Sequence, residues 1–124
     1  MNDKKERGNW GEERAALYLR LHGYKIVERN FRCRQGEIDI IARKGDVVAF
    51  VEVKQRKNAD FGEAREFVTY SKQRRVIAAA ELWLLKTGCE LQPRFDVIEV
   101  YAPQGTKTLL PEIHHLENAF GDYF

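Results

Sequence analysis

Three charged side chains stand where a buried strand leaves little room for them. Asp39, Glu52 and Lys54 follow the pattern Asp-x12-Glu-x-Lys on two segments rich in Ile and Val. Two carboxylates with nearby carbonyl oxygens suit a hard cation such as Mg²⁺. A lysine two residues past the second carboxylate sets an ammonium beside the water that such a cation binds. The bland alternative is a half-exposed cluster of ion pairs at a sheet edge. Burial weighs between the two, because Asp, Glu and Lys on a strand apolar on both faces are costly unless paired or bound to metal.

The elements that must hold these residues follow from the spacing. Glu37 to Arg43 reads as a strand, Lys44-Gly45 as a turn, and Asp46 to about Gln55 as a Val-dense strand. A two-residue turn there sets Arg43 opposite Asp46. Ile38 then faces Val51, Ile40 faces Ala49 and Ala42 faces Val47, giving one continuous apolar face. The other face is apolar near the turn (Ile41, Val48, Phe50) and charged at the open end (Glu37, Asp39, Glu52, Lys54). In this register Asp39 is diagonal to Glu52, roughly 7 Å between backbones, a gap two carboxylates can bridge through a shared cation.

Around the hairpin, Trp10 to His22 has helical periodicity, with Asn9 as N-cap, Glu12 and Glu13 in the first turn, and Gly23 as the stop. Tyr24 to Arg32 reads as a strand. Lys57 to Tyr70 resists assignment. Ser71 is placed to cap a helix over Lys72 to Thr87 that packs through Val76, Ala79, Ala80, Trp83 and Leu84 and ends at Gly88. Pro93 to Tyr101 is a strand, and a short strand is expected near Thr108 to Ile113. The order α-β-β-β-α-β predicts an α/β fold.

The chain has 124 residues, a length that fits a single domain over residues 1–124. With 44% apolar and 32% charged residues, it is neither disordered nor collagen-like. No apolar run approaches the roughly 20 residues of a membrane span. Met1 to Glu13 is charged and polar, without the pattern of a secretory signal. Cys33 and Cys89 are too few for a disulfide scaffold, so a cytoplasmic protein with both thiols reduced is expected. Neither cysteine has a Cys-x-x-Cys companion. His114-His115 has no partners at ligand spacing, which points to surface or packing roles rather than zinc.

A net charge of +2 says little, but its distribution says more. Residues 54–75 carry seven basic and three acidic groups, whereas residues 90–124 carry two and six. Such a chain can turn one face to a polyanion. Lys72, Arg74 and Arg75 fall in the first turn of a helix, where cations oppose the dipole and where phosphates bind well.

Gly36-Glu37-Ile38-Asp39 followed by Phe50-Val51-Glu52-Val53-Lys54 resembles the metal site of the restriction-endonuclease-like nucleases, whose signature is PD-(D/E)xK. Ile38 stands where that signature has proline. With Gly11-Glu12, Gly23-Tyr24, Arg56, Lys72-Gln73 and Arg94-Phe95-Asp96-Val97, the chain resembles more narrowly the YraN-type family of small bacterial proteins, which are similar to archaeal Holliday-junction resolvases. The resemblance implies a restriction-endonuclease-like core with a mixed sheet flanked by helices. It also implies an endonuclease using Mg²⁺ (or Mn²⁺), with branched or structured nucleic acid, DNA rather than RNA, as partner. Asp39, Glu52 and Glu12 become the expected metal ligands, and Lys54 joins them in catalysis. Arg56, Lys72, Gln73, Arg74 and Arg75 become the expected nucleic-acid contacts. A junction resolvase needs two sites and hence a homodimer. Two other readings stay open: a nucleic-acid-binding module that does not cut, and an assembly protein with Phe61 to Tyr70 as a contact segment.

Overall fold

A computed structural model describes residues 3–57 and 68–121. In chain order the elements are α1 (Asp3–Leu21), β1 (Lys25–Arg32), β2 (Glu37–Lys44), β3 (Val47–Arg56), α2 (Tyr70–Thr87), β4 (Gln92–Tyr101) and β5 (Glu112–Phe120). The five strands form one sheet in the order β1-β2-β3-β4-β5. Only β3 and β4 run parallel, and α2 connects them; the other neighbours are antiparallel. This is the expected α/β fold with a mixed sheet between helices. Most of the segment Phe61 to Tyr70 lies outside the described residues.

Each face of the sheet has its own core. Ala15, Ala16 and Leu19 of α1 pack with Ile40, Ala42, Ala49, Val51, Ile98 and Val100. On the other face, Val76, Ala79, Ala80 and Trp83 of α2 pack with Ile41, Val48, Phe50, Phe95 and Val97. The middle strands are thus apolar on both sides, as buried parallel neighbours require. Trp83 completes its burial by donating its indole N–H to Glu28 at 2.9 Å.

Helix ends correct the expected caps. Asn9 lies inside α1, which begins at Asp3, so Glu12 and Glu13 sit well within the helix and no dipole argument explains them. The C-terminal end is as expected: Gly23 has φ +88°, and the N–H groups of Gly23 and Tyr24 reach the carbonyls of Arg20 and Leu19. Thr69, not Ser71, caps α2, its hydroxyl accepting the Lys72 N–H at 3.1 Å. That leaves Lys72 in the first turn, which holds no acidic residue.

The hairpin register is shifted by two from the expected one. Lys44 pairs with Val47, so the turn is Gly45-Asp46. Gly45, at φ +57°, takes the first central position, the place for glycine in a type II′ turn. Lys-Gly had suggested glycine at the second position. A shift of two keeps every side chain of the regular ladder on its face. Alternation fails at Asp39, however: Ile38 packs with Ile41 in the α2-side core, while Ile40 lies in the α1-side core. The expected single face of Ile38, Ile40 and Ala42 is therefore broken.

The last strand also differs from expectation. Residues 105–107 form a 3₁₀ turn, and β5 runs from Glu112 to Phe120. Its period of two is interrupted opposite Phe95 and Val97, where Asn118 takes φ +52°. That bulge is anchored by Asp96, which is fully buried. One carboxylate oxygen accepts from Arg94 Nε at 2.9 Å and the Asn118 N–H at 3.0 Å, the other from Arg94 Nη2 at 2.7 Å and His115 Nε2 at 2.8 Å. His115 is thus a packing residue, as its sequence context suggested.

Candidate functional site

Beyond Ile40 and Val51 the β2–β3 ladder stops. Asp39 Oδ2 there accepts the backbone N–H of Val53 at 2.8 Å. Continued from the pairs below it, the register sets Asp39 opposite Glu52 rather than diagonal to it. Glu52 is 3% exposed. Burial, and then the charge of Glu52, push the Asp39 carboxyl up to about 7, against the pull of the Val53 N–H.

Two ammonium groups answer these carboxylates, both through one oxygen. Glu52 Oε1 lies 2.9 Å from Lys72 Nζ and 3.8 Å from Lys54 Nζ. Glu52 Oε2 is buried without a hydrogen-bond partner. Lys72 is raised: half-burial pulls it down, but the hydrogen bond and charge of Glu52, with the charge of Asp39, outweigh that. Lys54 thus stands against Glu52.

Glu12 reaches the neighbourhood from α1. Its Oε1 is buried without a hydrogen-bond partner, 3.7 Å from Arg29 Nη2. Burial raises its carboxyl and Arg29 partly offsets that. Glu12 is turned toward Arg29, and among the described residues no group of three His, Cys, Asp or Glu side chains is gathered closely enough to hold a metal ion. The arrangement is a carboxylate pair with a third carboxylate nearby. The unsatisfied buried oxygen of Glu52, with Asp39 beside it, and the all-oxygen donor set fit a hard divalent cation.

Two glycines let the helices close on this end of the sheet. A Cβ on Gly11 would meet Gln55 Oε1 at 2.9 Å, and one on Gly36 would meet the Arg75 carbonyl oxygen at 2.8 Å. The second neighbour is backbone and cannot swing aside. Gly36→Ala is therefore expected to push α2 from β2 and cost about 1–3 kcal/mol, read from the urea midpoint. An unchanged midpoint would show that α2 yields freely.

The expected nucleic-acid contacts separate into two groups. Arg74 and Arg75 are exposed, with Arg74 lying over the Tyr70 ring at 5.8 Å. Arg75 and Lys72 line a cavity of about 300 Å³ with Arg32, Cys33, Gly36, Glu37 and Val76. Gln73 is half-buried and donates to the Val68 carbonyl at 2.9 Å. Arg56 is turned inward, its Nε 2.8 Å from Glu99, which also accepts the Tyr101 hydroxyl. The sequence had not singled out Glu99, Tyr101 or the Arg29–Glu12 contact. Its signal for the Lys72–Glu52 contact was a lysine set against a helix dipole. No described helix is long and apolar enough to cross a membrane.

The model of a family described as "Uncharacterised protein family UPF0102" matches residues 11–100. A UPF0102 protein of Caldicellulosiruptor saccharolyticus is 43% identical over 119 residues, 95% of this chain and 99% of that one. A UPF0102 protein of Geobacter metallireducens is 47% identical over 118 residues, 94% of this chain and 93% of its own. The resemblance to the YraN-type family is borne out by these matches.

Proposed function

We propose that this chain, which belongs to the uncharacterised protein family UPF0102, is a divalent-metal-dependent endonuclease acting on branched or structured DNA. The observation that carries this reading is the buried pair Asp39 and Glu52, with one oxygen unsatisfied and two lysines beside it. Nothing in the packing of a sheet requires that combination, and it is costly without a ligand.

Asp39 and Glu52 would hold Mg²⁺ or Mn²⁺, with the Val53 carbonyl and Glu12 within the same neighbourhood. Bound there, the ion supplies Lewis-acid stabilisation of a phosphodiester and lowers the pKa of water. Lys54, with 28% of its side chain exposed, can present its ammonium to the charge that develops on the phosphate. Arg74 and Arg75 position the backbone without reading sequence. Arg56 and Gln73, engaged with Glu99 and Val68, support the site's walls instead.

A panel of branched, single-stranded and duplex DNA and RNA, with and without Mg²⁺ or Mn²⁺, tests the proposal. Cleavage is expected only with the ion, on branched DNA first, and not by Asp39→Asn. Salt-dependent binding without cleavage on any substrate would favour a module that holds nucleic acid. Replacing Arg74 and Arg75 together by Ala should weaken binding and flatten the slope of log K against log salt by about 1 to 2. An unchanged slope would move the nucleic-acid surface elsewhere.

A further inference from the structure

We propose that Lys72 is a two-position cation. It neutralises Glu52 until a divalent ion takes that carboxylate, and then turns into the adjoining cavity to bind a phosphodiester oxygen. The inference rests on the carboxylate pair being an ion site. It adds how ion and nucleic acid are coupled.

Charge balance comes first. Two carboxylates, Asp39 and Glu52, face two ammoniums, Lys54 and Lys72, so the site is already close to neutral. A divalent ion arriving on Glu52 would crowd cations unless an ammonium left. Of the two lysines, Lys72 makes the closer contact with Glu52, 2.9 Å against 3.8 Å. It is also the more exposed of the two, with 38% of its side chain exposed against 28% for Lys54.

The destination is on the same side chain's border. Lys72 lines the cavity of about 300 Å³ that Arg32, Gly36, Glu37 and Arg75 also line. Glu37 is already held by Arg32 at 3.1 Å. An ammonium released into this space meets guanidinium groups and needs an anion to accompany it. The first turn of α2 supplies no acidic residue, and its backbone dipole favours an incoming phosphate over a lone cation. Ion and phosphodiester therefore each favour the other's binding, and that coupling is reciprocal. Lys72 here is a positioning residue for the ion and a contact for the phosphate.

The test uses the whole chain, Mn²⁺ titration calorimetry, and a labelled phosphorothioate-linked DNA duplex that resists cleavage. For the wild type, saturating Mn²⁺ should tighten DNA binding about tenfold. Lys72→Gln should bind Mn²⁺ alone about tenfold more tightly than the wild type, because no ammonium has to leave. Its gain in DNA affinity on adding Mn²⁺ should shrink to threefold or less. Lys72→Arg keeps the charge and should keep the wild-type order of effects, and thermal melts establish that both variants fold. Equal Mn²⁺ affinity in wild type and Lys72→Gln, or an undiminished gain, overturns the two-position role and leaves the ion site standing. A wild type that binds no Mn²⁺ overturns both.

Discussion

Asp39→Asn is expected to stabilise the metal-free protein at alkaline pH and to abolish divalent-ion binding and cleavage. Asp39 in the folded protein titrates near 7, well above the ordinary 3.8 of an aspartate, because burial and then Glu52 disfavour its charge. A raised carboxylate contributes stability that is complete below the unfolded value and is lost as pH rises through the folded one. Between pH 4 and 8 the metal-free wild type should therefore lose on the order of 2–4 kcal/mol through this group. Asparagine has no charge to lose, and its carbonyl can still accept the Val53 N–H. The urea midpoints of variant and wild type should be close near pH 4, with the variant increasingly ahead as the pH rises to 8. A variant that is less stable at both pH values would make Asp39 an ordinary structural partner.

Asp96→Asn is expected to act in the opposite direction, with a loss of about 3–5 kcal/mol. Burial pushes the Asp96 carboxyl up, but His115, Arg94 and the Asn118 N–H together hold it below the usual carboxylate range. An amide cannot accept all four of their hydrogen bonds, and it leaves the Arg94 guanidinium without its counter-charge. The β5 bulge at Asn118 should loosen first, visible as faster amide exchange in β5 than in β3. Because Asp96 is held low, its contribution is present above pH 4 and fades as pH falls below that, so wild type and variant should converge in acid. A loss under 1 kcal/mol would mean that the network is replaceable by water.

These two aspartates mark what could be read from the chain and what could not. The hairpin bearing Asp39 and Glu52 was legible because alternation survives a register shift of two. The turn was misplaced, yet Glu52 kept its face, toward Lys72 of α2. The shift was invisible because Lys44-Gly45 and Gly45-Asp46 both offer glycine to a tight turn. At Ile38 the reading failed, since the ladder to β3 ends at Ile40 and a side chain, that of Asp39, takes the Val53 N–H. Asn9 and Ser71 were chosen as caps by residue type alone, while the helices start earlier, at Asp3 and at Tyr70 after Thr69. The last strand hid behind a bulge that only Asp96, a distant residue, explains. Lys72 was read as an outward phosphate contact. Its turn toward Glu52 depends on how α2 packs across β2, with Gly36 against Arg75, which spacing along the chain does not reveal.

The most direct measurement is the melting temperature of the wild type at pH 8 with and without millimolar Mn²⁺, beside Asp39→Asn. If Asp39 and Glu52 form an ion site, Mn²⁺ relieves their repulsion and binds only the folded chain. The wild type should then melt several degrees higher with the ion, by the linkage of binding to folding. Asp39→Asn should start higher without Mn²⁺ and gain nothing from it. A wild type indifferent to Mn²⁺, together with a variant that melts earlier than it, would contradict the account.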